Sequence, residues 1–209
     1  MRLVYDIETD GLLNECTKIW CLVAHNTETG TTYCYSDHDD SLPPISDGVN
    51  LLRNATNLIG HSIIGFDHAV IKKLYDVDLY KVKSYDTLIM SQVLRYKRPH
   101  KHALGGWGQS LGNNKIEFDK EKFKQGDDPI ILKEMIRYCK QDVAVNTEIY
   151  LRLIDEFNKI AEKNPLIRIG LKIEHDTAIF NAMVRERGWQ FDTEKANSCL
   201  LYTSPSPRD

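Results

Sequence analysis

The first thirteen residues, MRLVYDIETDGLL, constrain this chain more than any other stretch. Leu3, Val4, Tyr5 and Ile7 carry the apolar, β-branched and aromatic bias of a short buried strand, and Asp6 and Glu8 are set two residues apart within it. A strand's period of two puts both carboxylates on one face. Two like charges ~4 Å apart repel by about 4 kcal/mol at an effective dielectric of 20, so the pair calls for solvent, a proton or a divalent cation. On the strand alone, a metal-binding pair and a strand edge with two solvated acids are equally good readings, and residues further along must decide.

At 209 residues the chain suits one domain with a substantial core plus a remnant, and is too short for two complete large domains. Hydrophobic content of 42% and charged content of 27% describe an ordinary soluble protein, and no apolar run approaches the ~18 residues of a membrane span. An acid-bearing strand directly after Met1 is unlike a signal peptide, so a cytoplasmic protein is expected. Cys16, Cys21, Cys34, Cys139 and Cys199 lack CxxC and paired CxxH spacing, which points to reduced thiols rather than a zinc site or a disulfide framework. A net charge of -3 provides no global attraction to nucleic acid; any such partner must be held locally, by metals and a short cleft.

Beyond the first strand, residues 18–25 (KIWCLVAH) and 31–36 (TTYCYS) read as strands joined by the turn NTETG, a hairpin that extends the sheet. Pro43 and Pro44 break the pattern before a short helix near residues 48–54. Residues 57–61 (NLIGH) read as another buried strand. Residues 66–75 have helical spacing through Phe66, Val70, Ile71 and Leu74, and 85–96 and 102–111 are further expected helices. The basic loop between these two, KRPHKH, reads as a solvated loop ahead of a phosphate-backbone contact. Pro129 opens a long helix through residue 160, with Asp127 or Asp128 as N-cap, and places Tyr138 and Asp142 at i and i+4 on one face. Residues 166–188 form an amphipathic helix with Ile173, Ala178, Ile179 and Met183 toward a core and Gly188 as its stop. Strands first and helices afterwards imply an α/β fold, a mixed β-sheet covered by helices.

Four carboxylates stand out: Asp6, Glu8, Asp67 after the turn GHSIIGFD, and Asp142 beside Tyr138. Each alone reads as a cap or a solvated acid. In the order DxE, FD after a small-residue turn, then YxxxD, they resemble the DEDD superfamily of 3′-5′ exonucleases in its tyrosine subclass. Together with DTLIMSQVL, HALGGWGQSLG and IEHDTAIFNAMVRERGWQFDTEKA, they are similar to the proofreading domain of phage-type family A DNA polymerases over nearly all of residues 1–198.

That resemblance implies a ribonuclease H-like fold and two divalent metal ions, Mg²⁺ or Mn²⁺, held by oxygen ligands. It implies Asp6 as the bridging ligand, Glu8 and Asp142 around the nucleophile-side ion, Asp67 holding the other through water, and Tyr138 orienting the attacking water. Leu12 is expected as an apolar wedge against the terminal base. Phe66 and His61 are further substrate-side candidates, although core packing for Phe66 and a backbone-satisfied histidine at 61 or 68 are the simpler readings. The second motif often has Asn where Ser62 stands, and a hydroxyl lacks the amide's paired donor and acceptor.

The implied substrate is the 3′ end of single-stranded DNA, in the cytoplasm of an infected bacterial host; no residue pattern specifies a processivity factor. Residues 1–160 would form the exonuclease domain and 161–198 the start of a truncated polymerase domain. Residues 199–209, CLLYTSPSPRD, read as a one-frame translation of a transposon-type sequencing adapter. The competing readings are a free-standing exoribonuclease of the ribonuclease D group and a catalytically silent nucleic-acid-binding domain.

Overall fold

Alternation along β1 (Arg2–Thr9) divides its side chains between two cores. A computed structural model of the chain describes residues 1–97, 101–112 and 119–203. On one face Leu3, Tyr5 and Ile7 pack with α1 (Ile45–Arg53) and α2 (Asp67–Tyr75), through Val49, Leu52, Val70 and Ile71. On the other, Val4 joins Val23, Met135, Cys139 and Val143 beneath the long α5 (Pro129–Lys163). Asp6 and Glu8 follow Val4 at period two, so the sequence that builds the strand also aims both acids at α5.

β1 is the middle of a five-stranded sheet of order β3-β2-β1-β4-β5. β2 (Ile19–Asn26) and β3 (Thr32–Tyr35) add antiparallel on one side, while β4 (Asn57–Gly60) and β5 (Ser84–Asp86) add parallel on the other. The expected mixed sheet under helices is what forms. Its registers are unequal: β2 accompanies β1 from Leu3 to Thr9, but β4 pairs only with Arg2, Leu3 and Val4. The C-terminal half of β1 thus outruns its parallel neighbour.

α3 (Thr87–Leu94) and α4 (Leu104–Leu111) join the α5 side through Met90 and Trp107. α5 buries Leu132, Cys139, Asn146, Ile149, Leu153 and Phe157 along a helical stripe. Of the two N-cap candidates it uses Asp128, whose carboxylate accepts the Ile130 amide at 2.8 Å, with Pro129 in the first turn.

Several expectations are corrected. Ser84–Asp86 is a strand rather than part of a helix, because three residues carry no readable period and the pairing with β4 is set by tertiary contact. α1 starts at Ile45, directly after Pro44, instead of near residue 48. In α6 (Leu166–Arg187) the buried residues are Leu171, His175 and Ala182, with Ala178 and Ile179 partly covered. Ile173 and Met183 stay 55% and 41% exposed. The helix has more than one apolar row, and the row laid on β5 and α3 is chosen by the body it meets. α5 continues unbroken through residue 160 to Lys163. α7 (Thr193–Thr203) takes in residues 199–203; residues 204–209 lie outside the described residues, as do 98–100 of the basic loop. No described helix is long and apolar enough to cross a membrane.

Gly60 ends β4 where the chain must pass close to β1. A Cβ there would overlap the Ile63 side chain and lie 3.1 Å from the Tyr5 carbonyl oxygen. Gly60→Ala is expected to lower stability by about 1–3 kcal/mol, the usual cost of overpacking, read as a lowered urea midpoint with unchanged slope.

Candidate active site

Because β4 stops at Gly60, the chain leaves the sheet through the turn at residues 61–66 and delivers Asp67 to the first position of α2, alongside the part of β1 that β4 does not reach. There the backbone amides of Asp67 itself and of Ile7 lie near its carboxylate and favour its charged form. It is 4% exposed, and Oδ1 is buried without a hydrogen-bond partner among the described residues. Burial first, and then the negative charge of Asp6, raise its pKa well above the usual carboxylate value. The charge of Asp6 thus acts on a carboxyl that is itself removed from water.

α5 closes the other side. Cys139 Sγ lies 3.5 Å from the Asp6 carbonyl oxygen and 3.9 Å from Asp6 Oδ2. One ligand atom from each of Asp6, Glu8 and Cys139 falls within 4.8 Å of the others. Burial, followed by the neighbouring Cys21 and the charges of Asp6 and Glu8, pushes the Cys139 thiol well above its usual pKa, so at neutral pH it is a protonated donor. Asp142, one turn further along the same helix, is buried, and Tyr138 beside Cys139 is half-buried.

Asp6 and Glu8 thus meet on one face beside Cys139, the charge of Asp6 acts on Asp67 at the start of α2, and Tyr138 and Asp142 flank Cys139 along α5. Leu12, in the loop after β1, is 75% exposed. Phe66 is half-buried and packs against the α2-side core. His61 Nδ1 lies 2.9 Å from the Thr87 hydroxyl, which donates to Asn146 Oδ1 at 2.6 Å. His68 is fully buried, stacked on Tyr5 and edge-on to Tyr80, with neither ring nitrogen partnered among the described residues. Burial pulls its pKa down to about 3, so it stays neutral.

Ser62 has a left-handed backbone, φ 68°, and its amide donates to Asp86 Oδ1 at 2.9 Å. Asn enters that conformation more readily than Ser, which gives a backbone reason for the residue the motif often carries. Three participants had escaped the sequence reading. Asp86 is buried, caps α3 by accepting the Leu88 amide, and also holds the amides of Ser62 and Ile64. An Asp immediately before a helical run is a cap signal that could have marked it. Cys139 and His175 carried no local signal.

Buried acids with an orphaned oxygen and oxygen-rich surroundings fit a hard divalent cation, which would relieve the repulsion between Asp6 and Asp67. The fold is that of solved nucleases of the ribonuclease H-like class. Brucella melitensis NrnC superposes with a TM-score of 0.63 at 15% identity, covering 92% of this chain and 90% of its own. The same protein with bound Mg²⁺ gives 0.62 at 15% identity, with equal coverage. The chain belongs to the 3′-5′ exonuclease family, whose model matches residues 2–158. Among curated relatives, the DNA-directed DNA polymerases of Enterobacteria phage T3 and Escherichia phage T7 are each 24% identical over 92% of this chain. The chain spans about a third, 34%, of their length.

The raised Asp67 pKa has a stability consequence. A carboxyl that holds its proton more tightly when folded contributes stability below its unfolded pKa, near 3.9, and loses it as pH rises through the folded value. His68, with a lowered pKa, acts oppositely below about 6.5. The informative quantity is therefore a difference. In EDTA, the melting temperature of Asp67→Asn should gain on that of the unmodified chain as pH rises, and added Mn²⁺ should close the gap. A gap that is constant with pH would contradict the assignment.

Proposed function

We infer that this chain is the 3′-5′ exonuclease part of a DNA-directed DNA polymerase and removes nucleotides one at a time from DNA 3′ ends. The observation that supports the reading is the pairing of Asp6 and Glu8 beside Cys139, together with the charge of Asp6 acting on the buried Asp67, whose Oδ1 has no hydrogen-bond partner among the described residues. Asp6, Glu8, Asp67 and Asp142 would hold two Mg²⁺ or Mn²⁺ ions, with the thiol of Cys139 donating to Asp6 rather than acting as a ligand. Two such ions supply an activated water and offset charge on the phosphate and the leaving 3′ oxygen.

The chain's own residues provide the rest. Tyr138, half-buried on the helix of Asp142, orients the attacking water through its hydroxyl, which need not ionise. Leu12, exposed in the loop after β1, would offer an apolar surface for the terminal base, with Phe66 and His61 set along the second motif. Residues 1–160 form the exonuclease unit in this reading, and residues 161–198 lead toward a polymerase domain. The alternative, a free-standing exoribonuclease, draws on likeness of fold to NrnC, which has also been solved bound to pGG. The polymerase relatives favour the first reading.

The chain is expected to release mononucleotides from 3′-labelled single-stranded DNA with Mg²⁺ or Mn²⁺ and to stop in EDTA. Asp6→Ala should lower turnover by several orders of magnitude, since it removes a ligand shared by both ions. Tyr138→Phe should cost roughly 10²-fold, the scale of a lost water-orienting group. A larger loss for Tyr138→Phe would reverse the assigned roles, and activity persisting in EDTA would remove the metal.

A net charge of -3 leaves little electrostatic means to melt a duplex. Discrimination should then come from the substrate: unpairing a matched end costs a few kcal/mol, and each ~1.4 kcal/mol is tenfold. Initial rates on mismatched ends should exceed those on matched ends by roughly ten- to a hundredfold, converging as temperature frays the matched end. Equal rates on single-stranded, mismatched and matched substrates at low temperature would refute this.

A further inference from the structure

α6 lies beyond the residues matched by the exonuclease family, yet three of its polar side chains grip the exonuclease body. Lys72 Nζ pairs with Glu186 at 2.7 Å, Arg185 donates to the Gly65 carbonyl, and His175 Nε2 accepts the Asp86 amide hydrogen at 2.9 Å. Two of these contacts fall on the turn that precedes Asp67 or on the residue that holds that turn.

We propose that His175 is a positioning residue for the Asp67 carboxylate, acting through Asp86 and the turn at residues 61–66. The proposal rests on the reading of Asp67 as a metal-holding group. At both ends of the imidazole the chemistry leaves one arrangement. The Asp86 amide can only donate, so Nε2 is the acceptor; the Leu171 carbonyl, 2.8 Å from Nδ1, can only accept, so Nδ1 carries the proton. His175 is thereby a neutral ring with one tautomer, 8% exposed. β5 is the edge strand, and the imidazole takes the place of a further strand at its last residue.

From there the linkage is continuous. Asp86 Oδ1 accepts the Ser62 amide at 2.9 Å and the Leu88 amide at 3.0 Å, and Oδ2 accepts the Ile64 amide at 3.2 Å. Ser62 sits in a left-handed conformation that a serine does not favour by itself, so the turn depends on these bonds to keep its shape. Arg185 holds the far end of the same turn at Gly65. Two residues later the chain reaches Asp67, whose carboxylate must stay against the Ile7 amide to face Asp6. Removing the acceptor on His175 leaves the buried Asp86 amide unsatisfied and frees the carboxylate it steadies to swing with the turn.

The test compares His175→Phe, which keeps a ring without an acceptor, with His175→Gln, whose side-chain oxygen can replace Nε2, on the full chain. Amide hydrogen exchange is read in the metal-free protein, and Mn²⁺ activation is read on single-stranded DNA. In His175→Phe, exchange at Ser62 and Ile64 should accelerate by roughly ten- to a hundredfold, as expected for one lost buried hydrogen bond, with core amides of β1 unchanged. The half-saturating Mn²⁺ concentration should rise by a similar factor while the rate at saturating metal and the KM for DNA hold. His175→Gln should return both readouts close to the parent. Unaltered exchange and metal titration in His175→Phe would overturn the proposal, as would equal defects in the Gln and Phe variants. Asp67→Asn run alongside separates the two claims: full activity at ordinary Mn²⁺ in that variant would sink the metal role of Asp67, while the exchange data still decide whether His175 holds the turn.

Discussion

The structure depends on keeping several carboxylates close together in a space from which water is largely removed. Unlike charges in solution, Asp6 and Asp67 cannot rely on solvent to screen them; burial and mutual repulsion act in the same direction, as the raised pKa of Asp67 records. Such a cluster is unfavourable by itself, and the cation proposed for it would relieve that repulsion. The rest of the molecule can be understood as the frame that prevents these acids from drifting apart. The two cores on either side of β1 supply that frame, since fully buried Leu3, Val4 and Tyr5 leave the strand no room to shift.

The unequal registers of the sheet create the space. Were β4 as long as β2, its backbone would pair with Ile7 and occupy the position that Asp67 holds. By stopping at Gly60 it leaves the Ile7 amide facing the Asp67 carboxylate instead. The turn that follows is irregular and includes a left-handed serine, so it is held from outside, by Asp86 on one side and by Arg185 on the other. An irregular segment whose backbone groups are taken up by the buried Asp86 and by Arg185 is held in place in spite of lacking regular structure.

Cys139 changes the character of the α5 side of the site. A thiol packed against Asp6 and coupled to Cys21 contributes volume and a weak hydrogen bond, with no further negative charge while it remains protonated. An additional carboxylate there would add to the repulsion, and an aliphatic residue would forgo the thiol's weak hydrogen bond to Asp6. None of the five cysteines is joined in a disulfide.

By itself the sequence determined the parts of this protein that rest on local rules. Period two placed Asp6 and Glu8 together on β1, helical spacing placed Tyr138 and Asp142 on one face of α5, and Asp and Pro residues marked where α5 begins, because these features follow from backbone geometry within a few residues. Motif order then linked Asp67 to them by resemblance. Tertiary structure alone decided the rest. The short β5 exists only because β4 lies beside it, and the row of α6 that is buried runs through Leu171, His175 and Ala182 rather than Ile173 and Met183 because the body selects among apolar rows that the helix offers alike. Cys139 meets Asp6 across 133 residues of chain, and His175 meets Asp86 across 89. No local pattern encodes such contacts, since they arise from the packing of whole elements.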